Sequence, residues 1–390
     1  MKRKVLFITP SLRQGGVEHS LITCLSLLDP NQYDITLFLY TEMLDLLPEV
    51  PEHVNVIVGV DKTKYYRKPY VISLLLKQRI CKLIKIDNAV LETQAKINNY
   101  IHRKKVEHPQ RVFFSKEYYD AIVSYSLHIG TEMALMIQGN KRFVFMHSSD
   151  PDYHKEIIEK DLIHYDKIVA VSSSIAKVYQ ENYPYLHKKI ISIENYVDAE
   201  RIIKQSKESC ISTLKRDCIT IATCGRISHE KGFDLAVEAA DYLKNQGIQF
   251  HWFFIGDGAD RNKIEQTINE KGLNQYIEIT GYKDNPYPYM AAADIYVQPS
   301  YEEAQPLVLL EAMVLRKPIV STKTVGGNTI LKGGEKGVLT DFSGKDIAKG
   351  ILSLINNPDK RHSFENLYTL EDNEKEKQVY IEKMNQLLLH

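Results

Sequence analysis

Short, continuous apolar runs alternate along this chain with segments whose apolar residues return every three or four positions. Residues 4–9 (KVLFIT) form one such run, and after a glycine turn Val17, Leu21, Cys24, Leu25 and Leu28 follow at helical spacing. Further strand candidates are 35–40 (ITLFLY), 54–59 (VNVIVG), 121–126 (AIVSYS), 142–147 (RFVFMH) and 167–172 (KIVAVS). Unbroken apolar runs between helical segments predict a parallel sheet buried on both faces. The rhythm restarts after a polar stretch at 202–216, with runs at 219–225, 250–256, 276–281, 295–300 and 318–322. The expectation is a doubly wound α/β domain over 1–200, a second over 201–370, and a terminal helix at 371–390.

At 390 residues the chain exceeds the size at which one core stops growing, which agrees with two domains. Lysine plus arginine balances aspartate plus glutamate at 50 each, whereas a dedicated nucleic-acid domain is basic, so no nucleic-acid partner is expected. The five cysteines are odd in number and contain no CxxC pair, which fits a reducing compartment. The apolar run near the start is too short for a signal peptide, and no run reaches about 18 residues. A cytoplasmic protein is expected.

Ligands of doubly wound sheets bind outside the carboxyl ends of the strands, and two facing sheets would place a cleft between them. Three loops at such ends carry candidate chemistry. In SLRQGGVEH (11–19), Gly15 and Gly16 let the backbone approach a ligand at a helix start. The pattern is neither GxGxxG nor GxxxxGK[ST], so nicotinamide and ATPase readings lose their support. In CGRISHEKGFD (224–234), Gly225 precedes Arg226 and Lys231, a planar fork and a point charge able to reach a diphosphate.

The third loop is YEEAQPLVLLEA (301–312). Pro306 suits a first helical turn, which puts Glu303 in the loop and Glu311 inside the helix, near free amides at Leu307 and Val308. Spacing sets Leu307, Val308 and Glu311 on one side, expected to pack on the sheet. A carboxylate there needs donors, and a ribose diol supplies two.

This ordered series resembles the retaining glycosyltransferases of family 4, which have the GT-B fold of two facing Rossmann-like domains with a cleft between them. The resemblance runs from QGGVE through VSSS (171–174), ENYVD (194–198), GRISHEKGFD and FIGDG (254–258) to EEAQPLVLLEAM, with its Glu-x7-Glu spacing. It implies transfer of a sugar from a UDP- or GDP-linked donor to a glycan or lipid-linked hydroxyl in surface-polysaccharide biosynthesis. The first domain would serve the acceptor and the second the donor, with the terminal helix at 371–390 crossing back to the first domain. Arg226 and Lys231 would hold the diphosphate, Glu311 the ribose and Glu303 the donor sugar, with Gly16 beneath diphosphate and sugar. His147, at the end of RFVFMH, would lie near donor sugar and acceptor.

No cofactor or metal is expected, because the two cations would meet the charge growing on the leaving diphosphate. The DxD-like Asp150, Asp152 and His154 are read as a polar loop. The chain departs from the family pattern at Ala304 and Gln305 (usually Gly-Phe), at Arg316 and Tyr196 (usually glycine), and in lacking a glutamate soon after Gly326–Gly327. Two alternatives stay open: a nucleotide-sugar epimerase of the same fold, and an inactive nucleotide-sugar-binding partner subunit.

The basic segment 62–111 contains an amphipathic stretch, with Ile72, Leu76, Ile80, Leu83 and Ile84 on one helical face and Lys77, Lys82 and Lys85 away from it. Such a helix can rest on an anionic membrane surface at the inner face, or pack on its own sheet.

Overall fold

Val5, Leu6, Phe7 and Ile8 are fully buried, so strand β1 (Arg3–Thr9) is covered on both faces and its run is apolar without alternation. The structure is a computed structural model and describes residues 1–13, 15–41, 43–59, 96, 114, 116–208 and 218–389. The amphipathic stretch in 62–111 lies outside the described residues. Chain contacts divide the protein into one unit of Met1–Ile193 with Ile381–His390 and another of Glu194–Tyr380.

In the first unit β1 is followed by β2 (Tyr33–Leu39), β3 (Val54–Val58), β4 (Tyr119–Ser124), β5 (Gly139–Met146), β6 (Lys167–Ala170) and β7 (Ile190–Ser192). They form one parallel sheet in the order β3-β2-β1-β4-β5-β6-β7. The last part of the helix Leu370–Leu389 belongs to this unit. There Tyr33 Oη donates to Asn385 Oδ1 at 2.7 Å, Arg3 Nη2 donates to the Leu389 carbonyl at 3.0 Å, and Met384 is fully buried.

The second unit contains β8 (Ile219–Cys224), β9 (Phe250–Ile255), β10 (Ile277–Gly281), β11 (Ile295–Gln298), β12 (Ile319–Thr322) and β13 (Val338–Thr340). These too are parallel, in the order β10-β9-β8-β11-β12-β13. Trp252, Phe254 and Phe233 fill the core between the sheet and the helices Phe233–Asn245 and Gly344–Ile355. The protein is therefore an α/β chain with two parallel-sheet, Rossmann-like units. Strands β7 and β13, three residues each, are absent from the sequence reading, because so short a run has no measurable period.

Candidate functional site

Strand order locates the crevice of the second unit. Beside β8 stand β9 on one flank and β11 on the other, so the sheet changes its direction of growth between β8 and β11. Ligands of open α/β sheets bind outside the carboxyl ends at such a switch. The loops leaving β8 and β11 flank it, and they carry Arg226, Lys231 and Glu303.

These two loops touch. Gly232 has φ +65°, a left-handed conformation, and a Cβ built on it would lie 2.1 Å from the Pro299 carbonyl oxygen. Only glycine fits, which accounts for the glycine of HEKGFD. Across the same junction the Tyr301 amide donates to the Glu230 carbonyl at 2.9 Å, and Lys231 Nζ lies 2.8 Å from Glu303 Oε1. Glu303 is almost wholly buried at 8 % exposure, while its neighbour Glu302 is exposed. Its Oε1 also accepts from Ser300 Oγ at 2.8 Å and Gln298 Nε2 at 3.0 Å.

Arg226 and Lys231 are held by different carboxylates. Arg226 Nη2 lies 2.9 Å from Glu230 Oε1, which also accepts from Ser228 Oγ at 2.7 Å. Partial burial pushes the Glu230 carboxyl up, but the hydrogen bonds from Ser228 and Arg226 outweigh it and the net displacement is downward. The Arg226 side chain is 70 % exposed, so most of its fork faces solvent, whereas Lys231 is largely covered. At Gly225 an added Cβ would meet nothing within 4 Å, so that part of the loop is open.

The helix after β11 spans Leu307–Val314 and begins one residue after Pro306, which occupies the capping position. Its fully packed residues are Leu309, Ala312, Met313 and Val314. Leu307 and Val308, expected on the sheet-packed side with Glu311, do pack against that core but stay half-buried, as does Glu311. LVLLEAMV is apolar nearly all round, so its periodicity could not choose a face. Glu311 accepts from Tyr287 Oη at 3.4 Å. Burial pushes its carboxyl up to about 7, against the lowering influence of the Tyr287 hydroxyl and Arg201.

Three of the residues that depart from the pattern the sequence resembles, Arg316, Tyr196 and Gln305, have visible structural roles. Arg316 has φ +57° and ends the helix: its amide donates to Met313 O and that of Lys317 to Ala312 O, both at 2.9 Å. This paired closure favours glycine, and arginine is strained there. Tyr196 is buried, with its hydroxyl donating to Asn373 Oδ1 at 2.9 Å. Gln305 Oε1 accepts from the Asn195 amide at 3.1 Å. The Gly326 amide donates to the Glu303 carbonyl at 2.9 Å.

The remaining candidates lie in the first unit. Gly15 precedes the helix Gly16–Leu27, and Gly16 is exposed at its start. His147 follows β5, and its Nε2 lies 2.9 Å from the Tyr125 carbonyl just after β4. A carbonyl only accepts, so Nε2 carries the proton. Burial pushes this imidazole down to about 4, which keeps it neutral at pH 7 with Nδ1 as an acceptor. Asp150 and Asp152 serve their own turn: Asp150 Oδ1 accepts from the Asp152 amide at 2.9 Å, and Asp152 pairs with Lys155 at 3.2 Å.

Sequence reading missed Gln298. A glutamine inside the apolar run IYVQPS was the available signal, and its meaning depended on Glu303 lying beside it.

Residues 205–367 match the family model described as glycosyl transferases group 1. The chain is 31 % identical over 140 residues to an alpha-D-kanosaminyltransferase of Streptomyces kanamyceticus, covering 35 % of this chain and 36 % of that protein. It is 25 % identical over 169 residues to the lipopolysaccharide core biosynthesis glycosyltransferase LpsE of Rhizobium meliloti, covering 43 % and 48 %. The chain thus spans between about a third and a half of the length of these curated relatives. Among solved structures it resembles Anabaena HepE in complex with UDP and glucose, with TM-score 0.70 and 17 % identity over 99 % of this chain and 98 % of that one. For TarM the TM-score is 0.71, with 12 % identity over 100 % and 99 %. The fold is therefore that of GT-B glycosyltransferases, and residues 205–367 carry a glycosyl transferases group 1 domain.

Proposed function

We propose that the protein is a retaining, family 4-type glycosyltransferase that moves a sugar from a nucleotide diphosphate sugar to a hydroxyl of a glycan or lipid-linked acceptor in cell-surface polysaccharide biosynthesis. The observation that carries this reading is the Lys231–Glu303 pair joining the two loops at the β8/β11 switch point, with Arg226 beside it. A diphosphate approaching this crevice meets the exposed Arg226 fork and the two ammonium hydrogens of Lys231 that Glu303 does not take. Glu303 is then adjacent to the group attached to that diphosphate, and Glu311 is available to a ribose diol.

The bond between the anomeric carbon and the phosphate oxygen breaks as the acceptor oxygen bonds to that carbon, and the acceptor's hydroxyl proton passes to the departing phosphate oxygen. Negative charge grows on the diphosphate, and Arg226 and Lys231 oppose it, the task a divalent metal performs elsewhere. Neutral His147 is a poor base at pH 7 and suits hydroxyl orientation through Nδ1. Gly15 and Gly16 form the backbone-exposing helix start of the acceptor-side unit. The UDP and glucose bound by HepE favour a UDP-linked donor here.

The first test is a thermal-shift series with UDP, GDP and their common sugar conjugates, since a ligand of the folded state raises its stability by mass action. Stabilisation by one nucleotide family, followed by transfer to a glycan or lipid-linked acceptor without added metal, is the expected result. Isomerised donor without transfer would point to an epimerase, and abolition by chelation with rescue by manganese would overturn metal independence. A peripheral position at the inner membrane face rests on the sequence of 62–111 and is tested by sedimentation with anionic liposomes. Among the described residues no helix is long and apolar enough to cross a membrane.

A further inference from the structure

Gln298 is a buried glutamine at the end of a strand otherwise made of apolar residues, with 2 % exposure. Such a group persists only where its amide is satisfied, and here every polar atom has a partner. Its Nε2 donates to Ser300 Oγ at 2.8 Å and to Glu303 Oε1 at 3.0 Å, and its Oε1 accepts from Tyr296 Oη at 2.9 Å. A carboxylate only accepts, so the amide nitrogen must face Glu303 and the amide oxygen must face Tyr296. The Tyr296 hydroxyl is itself located by the Cys224 amide, 3.3 Å away at the end of β8. A polar chain thus runs within the unit from β8 through β11 to Glu303.

The donors converge on a single oxygen. Gln298, Ser300 and Lys231 all address Glu303 Oε1, and among the described residues no hydrogen bond goes to Oε2. Three donors exhaust the lone pairs of one carboxylate oxygen. We propose that Gln298 is a positioning residue for Glu303: by loading Oε1 from the core side it fixes the carboxylate plane and presents Oε2 to one hydroxyl of the donor sugar. Discrimination between sugars that differ at that hydroxyl then depends on a residue that touches neither sugar nor nucleotide. This rests on the reading of Glu303 as the donor-sugar contact and adds the device that orients it.

The test compares wild type, Gln298→Met and Tyr296→Phe. Methionine keeps the length and volume without the donors, and phenylalanine removes only the hydroxyl that fixes the amide. Affinities for UDP, UDP-glucose and UDP-galactose are measured by calorimetry, with GDP and GDP-mannose as the alternative series, and donor kcat/KM is measured alongside. UDP or GDP affinity stays within about threefold. The added affinity contributed by the sugar falls about tenfold or more in Gln298→Met, and the preference between epimeric donors shrinks, as expected for loss of a bond to a charged group. Tyr296→Phe moves the same ratios in the same direction by less, and it carries the test if Gln298→Met does not fold. Equal losses for nucleotide and nucleotide sugar, or an unchanged epimer ratio in the folded variants, would overturn the positioning role. Wild type that binds neither nucleotide series would overturn the donor reading itself, and the positioning role with it.

Discussion

Lys231 Nζ and Glu303 Oε1 stand 2.8 Å apart across 72 residues of sequence, and each belongs to a different loop of the same switch point. Truncating Lys231 to alanine removes the cation proposed to meet the diphosphate and also strips a buried carboxylate of its counter-charge. Lys231→Ala is expected to lower kcat/KM for the nucleotide sugar by about 10²–10³-fold. Arg226→Ala, at a more exposed position, should lower it at least about tenfold. Steady-state transfer assays with calorimetric nucleotide affinities check both, and normal turnover in both variants would remove these residues from the site.

Glu311 gives the site a pH dependence near neutrality. Its folded-state value of about 7, above the ordinary 4.5, means the folded chain retains this proton where the unfolded chain has released it. Stability from this group is therefore present below pH 4.5 and lost as pH rises through 7. Under the proposed ribose role of Glu311 nucleotide binding runs oppositely, because only the ionised carboxylate would accept both ribose hydroxyls. Affinity should rise between pH 6 and 8, and Glu311→Gln should flatten that rise, weaken binding and stabilise the unliganded protein at pH 8. Calorimetry and thermal melts at three pH values separate these outcomes.

Arg316 closes its helix at φ +57° with a side chain that disfavours this conformation. Arg316→Gly relieves the clash but loosens the unfolded chain, leaving a net gain of roughly 0.5–1 kcal/mol. Urea denaturation should show that gain with nucleotide affinity unchanged, because the side chain is exposed and outside the crevice loops.

Asn373 is 4 % exposed, and its side chain accepts from Tyr196 Oη at 2.9 Å and donates to the Val197 carbonyl at 2.8 Å. Asn373→Ala leaves both partners unsatisfied in the interior, a loss of about 2–3 kcal/mol. Combining it with Tyr196→Phe should cost less than the sum of the single changes, since the two share one bond.

The strands β1, β8 and β9 were legible because burial on both faces writes itself as an unbroken apolar run. Arg226, Lys231, Glu303 and Glu311 were legible as residue types at loop and helix positions, through the spacing of their motifs. What pairs with what was not. The Lys231–Glu303 contact depends on β11 lying beside β8, an order set by long-range pairing that no local pattern encodes. The fully packed face of Leu307–Val314 escaped for the opposite reason, since a helix apolar on nearly every side carries no directional signal. Gln298 looked like a blemish in a strand until its carboxylate partner was in place.

The approach of Gly232 to the Pro299 carbonyl has a practical meaning for altering this protein. Residues 225–232 and 299–303 interlock at one point with no room for a single added carbon, so they should be transplanted between homologous scaffolds as one cassette. Swapping either loop alone would import a mismatch at that seam. Ala304 lies just outside it, so its side chain can be varied while the junction stays intact, whereas Gln305 is already engaged by the Asn195 amide.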